Sequence, residues 1–144
     1  MFEFTHTVEA PVEPAAVWRL YRDVSTWPSW NPAVGSVDLD GEFAPGTTGR
    51  LTPPGQEPLP FRIVAAIENE GYTSQTKIAD TVRLQTTSVL APLPGGGTRI
   101  THRIAITGPG ADFFGPSFGP AIAAGVPVAM RNLSEQAAAA AGRS

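Results

Sequence analysis

Two histidines and no cysteine set the chemical limits of this 144-residue chain. Without thiols there is no disulfide, no thiolate metal site and no cysteine nucleophile. His6 and His102 alone are too few imidazoles for a dedicated transition-metal centre, so no metal and no cofactor are expected. His102 is the sharper of the two, because it interrupts Ile100-Thr-His-Arg-Ile104-Ala-Ile106, where the alternate residues are otherwise apolar and branched. On a strand, that spacing turns the imidazole toward the interior. It is then either a core group paired with a backbone carbonyl, Thr86 or Tyr72, or a cavity-lining group. In the second case it orients a ligand carbonyl or hydroxyl, or moves a proton as general acid or base, and Tyr72 is the other candidate for that role. Burial favours the neutral imidazole, which can both donate and accept. His6 shares a face with Phe2, Phe4 and Val8 and reads as structural.

Other motifs dissolve on inspection of their context. Gly115-Pro-Ser-Phe-Gly119 matches the G-x-S-x-G pattern of a hydrolase elbow, but a Gly/Pro-rich stretch precedes Ser117 where a strand is required, and no histidine follows it. Gly95-Gly-Gly97 has no lysine or helix start behind it to hold phosphate and reads as a hairpin turn. Asp38, Asp40 and Glu42, like Glu68 and Glu70, flank turns at strand ends. A catalytic carboxylate pair needs one buried member, and no acid falls on an inward face.

The elements that must position His102 can be read from periodicity. Phe2 to Glu9 is extended and stops at Pro11. Pro14 suits a first helical turn, and Val17, Leu20, Tyr21 and Val24 recur at i, i+3, i+4, i+7, which predicts a helix over 14–24. Trp27 and Trp30 follow in a segment bracketed by Pro28 and Pro32, with room for a turn or so of helix. Asp40-Gly41 signals a hairpin between Val34–Leu39 and a weaker strand at Gly49–Pro53. Four clear strands follow, Phe61–Ile67, Tyr72–Ile78, Val82–Leu90 and Thr98–Thr107, and their short connections make an antiparallel meander. Arg62, Lys77, Arg83, Arg99 and Arg103 must reach water. Alternation then turns inward Phe61, Ile63, Ala65 and Ile67; Tyr72, Ser74, Thr76 and Ile78; Leu84, Thr86, Ser88 and Leu90; and Ile100, His102, Ile104 and Ile106. Gly108 to Pro120 reads as a loop with three phenylalanines, a lid or an anchor. A helix follows to about Ala141 with Phe118, Ile122, Val126, Met130, Leu133 and Ala137 on one face, kinked or divided at Pro127.

Composition bounds the rest. The length suits a single domain over 1–144, and Gly and Pro, 15 of each, punctuate it without reaching low complexity. A net charge of −3 with scattered basic residues gives no footprint for nucleic acid. The N-terminus lacks a secretory pattern and Ala121–Met130 is too short to span a bilayer, so a cytoplasmic protein without membrane association is expected, as monomer or homodimer.

The segment from Ala10 to Pro32, with its "APVEPAAVW" helix start and "WPSWNP" tail, resembles the N-terminal signature of the START-like, helix-grip (SRPBCC) superfamily, and within it the polyketide cyclase/dehydrase-like proteins. Gly97-Thr-Arg-Ile-Thr-His-Arg103 resembles that group's last strand, and Ala124-Gly-Val-Pro-Val-Ala-Met-Arg-Asn-Leu133 its final helix. The resemblance implies an α+β helix-grip fold. A curved antiparallel sheet of six to seven strands wraps a long C-terminal helix, with two short helices after the first strand and a ligand cavity between sheet and helix. Trp27, Trp30 and Asn31 would border that cavity. Phe61, Ile63, Ile104 and the polar Tyr72, Thr86, Ser88 and His102 would line it from the sheet, and Phe114, Phe118, Ile122 and Met130 from the C-terminal segment. The mixture favours binding of a small apolar, ring-containing molecule of polyketide or lipid character. A cyclase or dehydratase working in the same cavity is the alternative, and a co-chaperone-like interaction module a second one.

Overall fold

The computed structural model describes residues 2–142. Strand β1 (Phe2–Ala10) leads into helix α1 (Pro14–Arg22), a single 3₁₀ turn (Val24–Thr26) and the short helix α2 (Trp27–Trp30). Strands β2 (Ser36–Leu39), β3 (Thr48–Thr52), β4 (Leu59–Ile67), β5 (Gly71–Ala79), β6 (Val82–Pro92) and β7 (Thr98–Thr107) follow, and helix α3 (Ala111–Ala141) ends the chain. All strands pair antiparallel in one curved seven-stranded sheet of order β1-β7-β6-β5-β4-β3-β2 that wraps α3. The first two strands in sequence therefore lie at opposite edges, and α1 and α2 carry the chain between them.

Helix α1 follows from its sequence. Pro14 starts it without needing an N–H partner, and Val17 and Tyr21 are fully buried one turn apart. It is shorter than the expected 14–24. The backbone turns extended at Asp23, whose carboxylate accepts a hydrogen bond from Ser25 N at 3.2 Å and opens the 3₁₀ turn. Leu20 is only partly buried. Helix α2 is clamped onto α3, because Asn132 Nδ2 donates to the Trp30 carbonyl at 3.2 Å and Gln136 Nε2 to the Ser29 carbonyl at 2.6 Å.

The sheet register confirms the inward rows on β5, β6 and β7 and corrects one on β4. A bulge between Ile63 and Ala65 inserts a residue, so Ala66 rather than Ala65 pairs with inward-facing Tyr72. Every later side chain on β4 is flipped, and Ile67, expected inside, is 58% exposed. The expected tight hairpin at Asp40-Gly41 is instead the longer connection 40–47. That length lets Phe43 fold back onto Trp18, Trp27 and Tyr72, with ring centroids 5.7, 6.3 and 5.5 Å away.

The largest correction lies in α3. Residues 111–120, read as loop from their Gly/Pro content, are its first turns, and the helix runs undivided through Pro116, Pro120 and Pro127. Pro116 and Pro120 are on the exposed side, where a helix can open toward water at little cost. The buried side there reads Ala111, Gly115, Gly119, Ala123, a stripe of small residues that packs α3 onto the start of β1. A Cβ on Gly119 would stand 2.7 Å from the Phe2 ring, and one on Gly115 2.9 Å from Phe2 Cβ. The apparent hydrolase motif is thus half of a close helix–strand contact. Ser117 points to water, and its hydroxyl donates to the Phe113 carbonyl of its own helix at 3.0 Å. By length and apolar composition alone α3 could cross a membrane; here it is the helix that the sheet grips.

Chemical denaturation distinguishes the two meanings of that motif. Gly119→Leu is expected to lower stability by about 1–3 kcal/mol, because a side chain must enter space held by Phe2. Ser117→Ala should stay within about 0.5 kcal/mol of the wild type. The reverse ranking would refute the packing role.

Candidate functional site

The inner face of the sheet is built of transverse rows. One row runs Ala66, Tyr72, Ser88, His102, His6 across β4, β5, β6, β7 and β1; the next runs Ile63, Ser74, Thr86, Ile104, Phe4; a third runs Phe61, Thr76, Leu84, Ile106, Phe2. Over these rows lies a cavity of about 650 Å³. Its floor includes Tyr72, Ser74, Thr76, Thr86, His102 and Ile104, and its roof is the face of α3 carrying Phe118, Ile122, Val126 and Ala129. Trp27, Trp30 and Asn31 close one end, and Leu51, Pro53, Leu59 and Phe61 one side. Ala33, Pro54, Gln56, Phe118 and Ala121, which are both lining and exposed, mark the rim. Phe114 and Phe118 pair at the rim with centroids 4.6 Å apart and ring planes tilted by 33°, whereas Phe113 faces away and is 78% exposed. Among the described residues that line the cavity, none is Asp, Glu, Lys or Arg.

Eleven of the residues expected at the site from sequence stand in this wall: Trp27, Trp30, Asn31, Phe61, Tyr72, Thr86, His102, Ile104, Phe114, Phe118 and Ile122. Ile63, Ser88 and Met130 do not. Ile63 and Met130 are sealed in the core, in the same buried cluster as Val17 and Tyr21 of α1 and Trp27 and Trp30 of α2. Ser88 lies under a helix side chain, which no single-strand pattern could reveal.

That side chain is Tyr21. Its hydroxyl lies 2.7 Å from His102 Nε2, and Ser88 Oγ donates to it at 2.7 Å. Tyr21, not Thr86 or Tyr72, is therefore the partner of His102. It enters from α1, 81 residues earlier in the chain, and its own apolar-stripe position in the helix disguised it as simple core. The Tyr21 ring is fully buried against Trp18, Trp30 and Tyr72, with centroids 6.4, 6.0 and 4.9 Å away. The Trp27 indole N–H donates to the Tyr21 carbonyl at 3.0 Å and locks the turn beneath.

Burial dominates the electrostatics. It pushes both phenols, Tyr21 and Tyr72, well above their usual range, with their mutual proximity adding to the effect at Tyr21. Burial also lowers His102 to about 4, and His6 beside it contributes in the same direction. The imidazole is thus neutral at neutral pH, with Nε2 committed to Tyr21.

A seven-stranded antiparallel grip on a C-terminal helix, with an uncharged cavity between them, defines the START-like class of small-molecule-binding folds. The chain belongs to the family described as polyketide cyclase / dehydrase and lipid transport, whose pattern matches residues 1–142. No curated protein matches the sequence. Among solved structures it is similar to Ara h 8.0201, at 17% identity and TM-score 0.75 over 95% of this chain and 97% of that one. It is also similar to the protein TTHA0849 of Thermus thermophilus, at 19% identity and TM-score 0.71 over 96% and 98%. The truncated norcoclaurine synthase of Thalictrum flavum follows at 14% identity and TM-score 0.67, over 93% and 91%. At these identities the likeness is one of fold.

Two measurements check the buried network. Between pH 6.5 and about 4 the unfolded chain binds a proton at this histidine that the folded chain refuses. The histidine's contribution to stability is therefore intact above pH 6.5 and is lost as pH falls toward 4, by up to about 3 kcal/mol, levelling off below. Urea unfolding over this range should show that slope in the wild type and a shallower one in His102→Gln; equal slopes would remove His102 as its source. Separately, Tyr21→Phe strands the Ser88 hydroxyl and His102 Nε2 while keeping the ring, and should cost about 1–3 kcal/mol.

Proposed function

We propose that this protein binds a small apolar, ring-containing molecule, of polyketide or lipid character, in the cavity between the sheet and α3. The observation that carries this reading is the cavity wall itself. Its size falls within the ~300–1,000 Å³ typical of ligand sites, and it is mostly aliphatic and aromatic with a few convergent polar groups and no charge. The paired Phe114 and Phe118 at the rim, and Trp27 and Trp30 in the wall, suit the flat faces of a ring system. The family description, which joins cyclases with lipid transport, accords with an apolar ligand.

Binding is favoured over turnover by the state of His102. An imidazole lowered to about 4 is a weak base at neutral pH, far from the match between pKa and working pH that proton transfer favours. Its Nε2 is already engaged by Tyr21.

A thermal-shift screen of aromatic polyketides, quinones, sterols and fatty acids tests the reading. A ligand at about 100 times its Kd adds about 2.7 kcal/mol, of order 5–10 °C in Tm for a domain of this size. No shift from any class, with a folded protein, would remove ligand binding as the function. Gly125→Leu then places the ligand. A Cβ at Gly125 meets nothing within 4 Å, and the residue lines the cavity. The variant should be no less stable than the wild type, since it also gains helix propensity of up to about 1 kcal/mol. It should bind at least tenfold more weakly by occupying the space. Undiminished binding would put the ligand elsewhere.

A further inference from the structure

The direction of the buried hydrogen-bond chain determines what the cavity offers to a ligand. Ser88, Tyr21 and His102 are all buried, and each hydroxyl hydrogen needs an acceptor. If Ser88 donates to Tyr21 and Tyr21 donates to His102 Nε2, both hydroxyl hydrogens are used. In the reverse direction Nε2–H would donate to Tyr21 and Tyr21 to Ser88, and the Ser88 hydrogen would be stranded, because Ser88 Oγ has no other partner among the described residues. The first direction is therefore favoured, because a stranded buried donor costs more than a paired one. It leaves Nε2 an acceptor and puts the ring proton on Nδ1.

Nδ1 has no hydrogen-bond partner among the described residues. Nor is it sealed in the core: among the described residues the buried, unpartnered side-chain polar atom is Trp30 Nε1 alone. His102 lines the cavity and is otherwise enclosed, so the space Nδ1 meets is the cavity. The Tyr72 hydroxyl, two strands away in the same row, is likewise without a protein partner among the described residues and lines the same space.

We infer that the Ser88–Tyr21–His102 chain fixes the imidazole as its Nδ1–H tautomer, a standing hydrogen-bond donor to the cavity that selects a neutral, ring-bearing ligand with a carbonyl oxygen over its carboxylate and hydrocarbon counterparts. The inference rests on the ligand-binding reading and narrows it. A carbonyl oxygen takes up the Nδ1–H that an apolar ligand would strand on displacing water. A carboxylate would be buried with no cation in the wall to meet it, and the histidine resists becoming one. Tyr21 and Ser88 are positioning residues here, acting through the imidazole.

The test uses three fluorescent probes of one shape, 2-acetylanthracene, 2-ethylanthracene and anthracene-2-carboxylate, titrated at about pH 7.5. The ketone should bind about three- to tenfold more tightly than the ethyl compound, and the carboxylate more weakly than either. In His102→Phe the ketone's advantage should vanish while the ethyl compound still binds. Long-range ¹H–¹⁵N NMR of the ligand-free wild type reads the tautomer directly, and should find Nδ1 protonated and Nε2 bare, with Tyr21→Phe moving the ring toward a mixture. A protonated Nε2 in the wild type, or equal binding of ketone and ethyl compound, overturns the inference while leaving the cavity a binding site. If none of the three probes binds while the thermal-shift screen finds a ligand, the inference falls and the ligand-binding reading stands; if the screen is silent as well, both fall. If His102→Phe fails to fold, the wild-type probe series and NMR spectrum still decide.

Discussion

A hydroxyl from the first helix is what makes a buried imidazole tolerable in this fold. An unpaired polar group inside a protein costs more than a paired one returns, so His102 can sit in the inner row only if something meets it there. Tyr21 does so, and through Ser88 it joins α1 to β6 and β7 at one point. The same ring anchors the aromatic cluster of Trp18, Trp30 and Tyr72. One residue thereby fixes the height of α1 over the sheet, the orientation of the imidazole and the inner wall of the cavity.

The cavity has an equally local cause. Helix α3 comes close to the sheet at one edge, where Gly115 and Gly119 let its backbone approach Phe2 on β1. Among the described residues none of β1 lines the cavity; the sheet's share of the wall comes from β3 to β7. Tight contact at one edge and small residues such as Gly125 and Ala129 on the facing side of the helix leave space over the middle strands. The floor under it is made of rows whose hydroxyls and imidazole need no charge to be satisfied. The space is thus apolar in bulk yet equipped with donors, a combination suited to holding a molecule in one orientation.

Much of this was legible in the order of residues. The five basic residues on four strands set which faces look outward, and the inward rows on β5, β6 and β7 followed without error. Pro14 and the stripe Val17, Tyr21 located α1. The family likeness supplied the grip, and eleven cavity residues came from combining it with alternation. The failures share a physical origin. Ile67 was misplaced because a bulge has no signature in residue type when both flanking residues are small or apolar. The first turns of α3 were read as loop because glycine and proline weigh against helix in isolation, while packing on β1 outweighs that preference.

By itself the sequence determined the inward and outward faces of β5, β6 and β7, the buried stripe of α1 and the lack of thiol chemistry, because these depend only on residue type and spacing along the chain. Tertiary structure decided which groups meet. That Tyr21 reaches His102, that Ser88 serves Tyr21 instead of the cavity, and that Phe43 closes over Trp27 depend on helix height and loop path. Hydrogen bonds are satisfied within about 3 Å in space, whatever the separation in sequence. For a buried polar residue, partner and purpose were therefore settled only when the chain had folded.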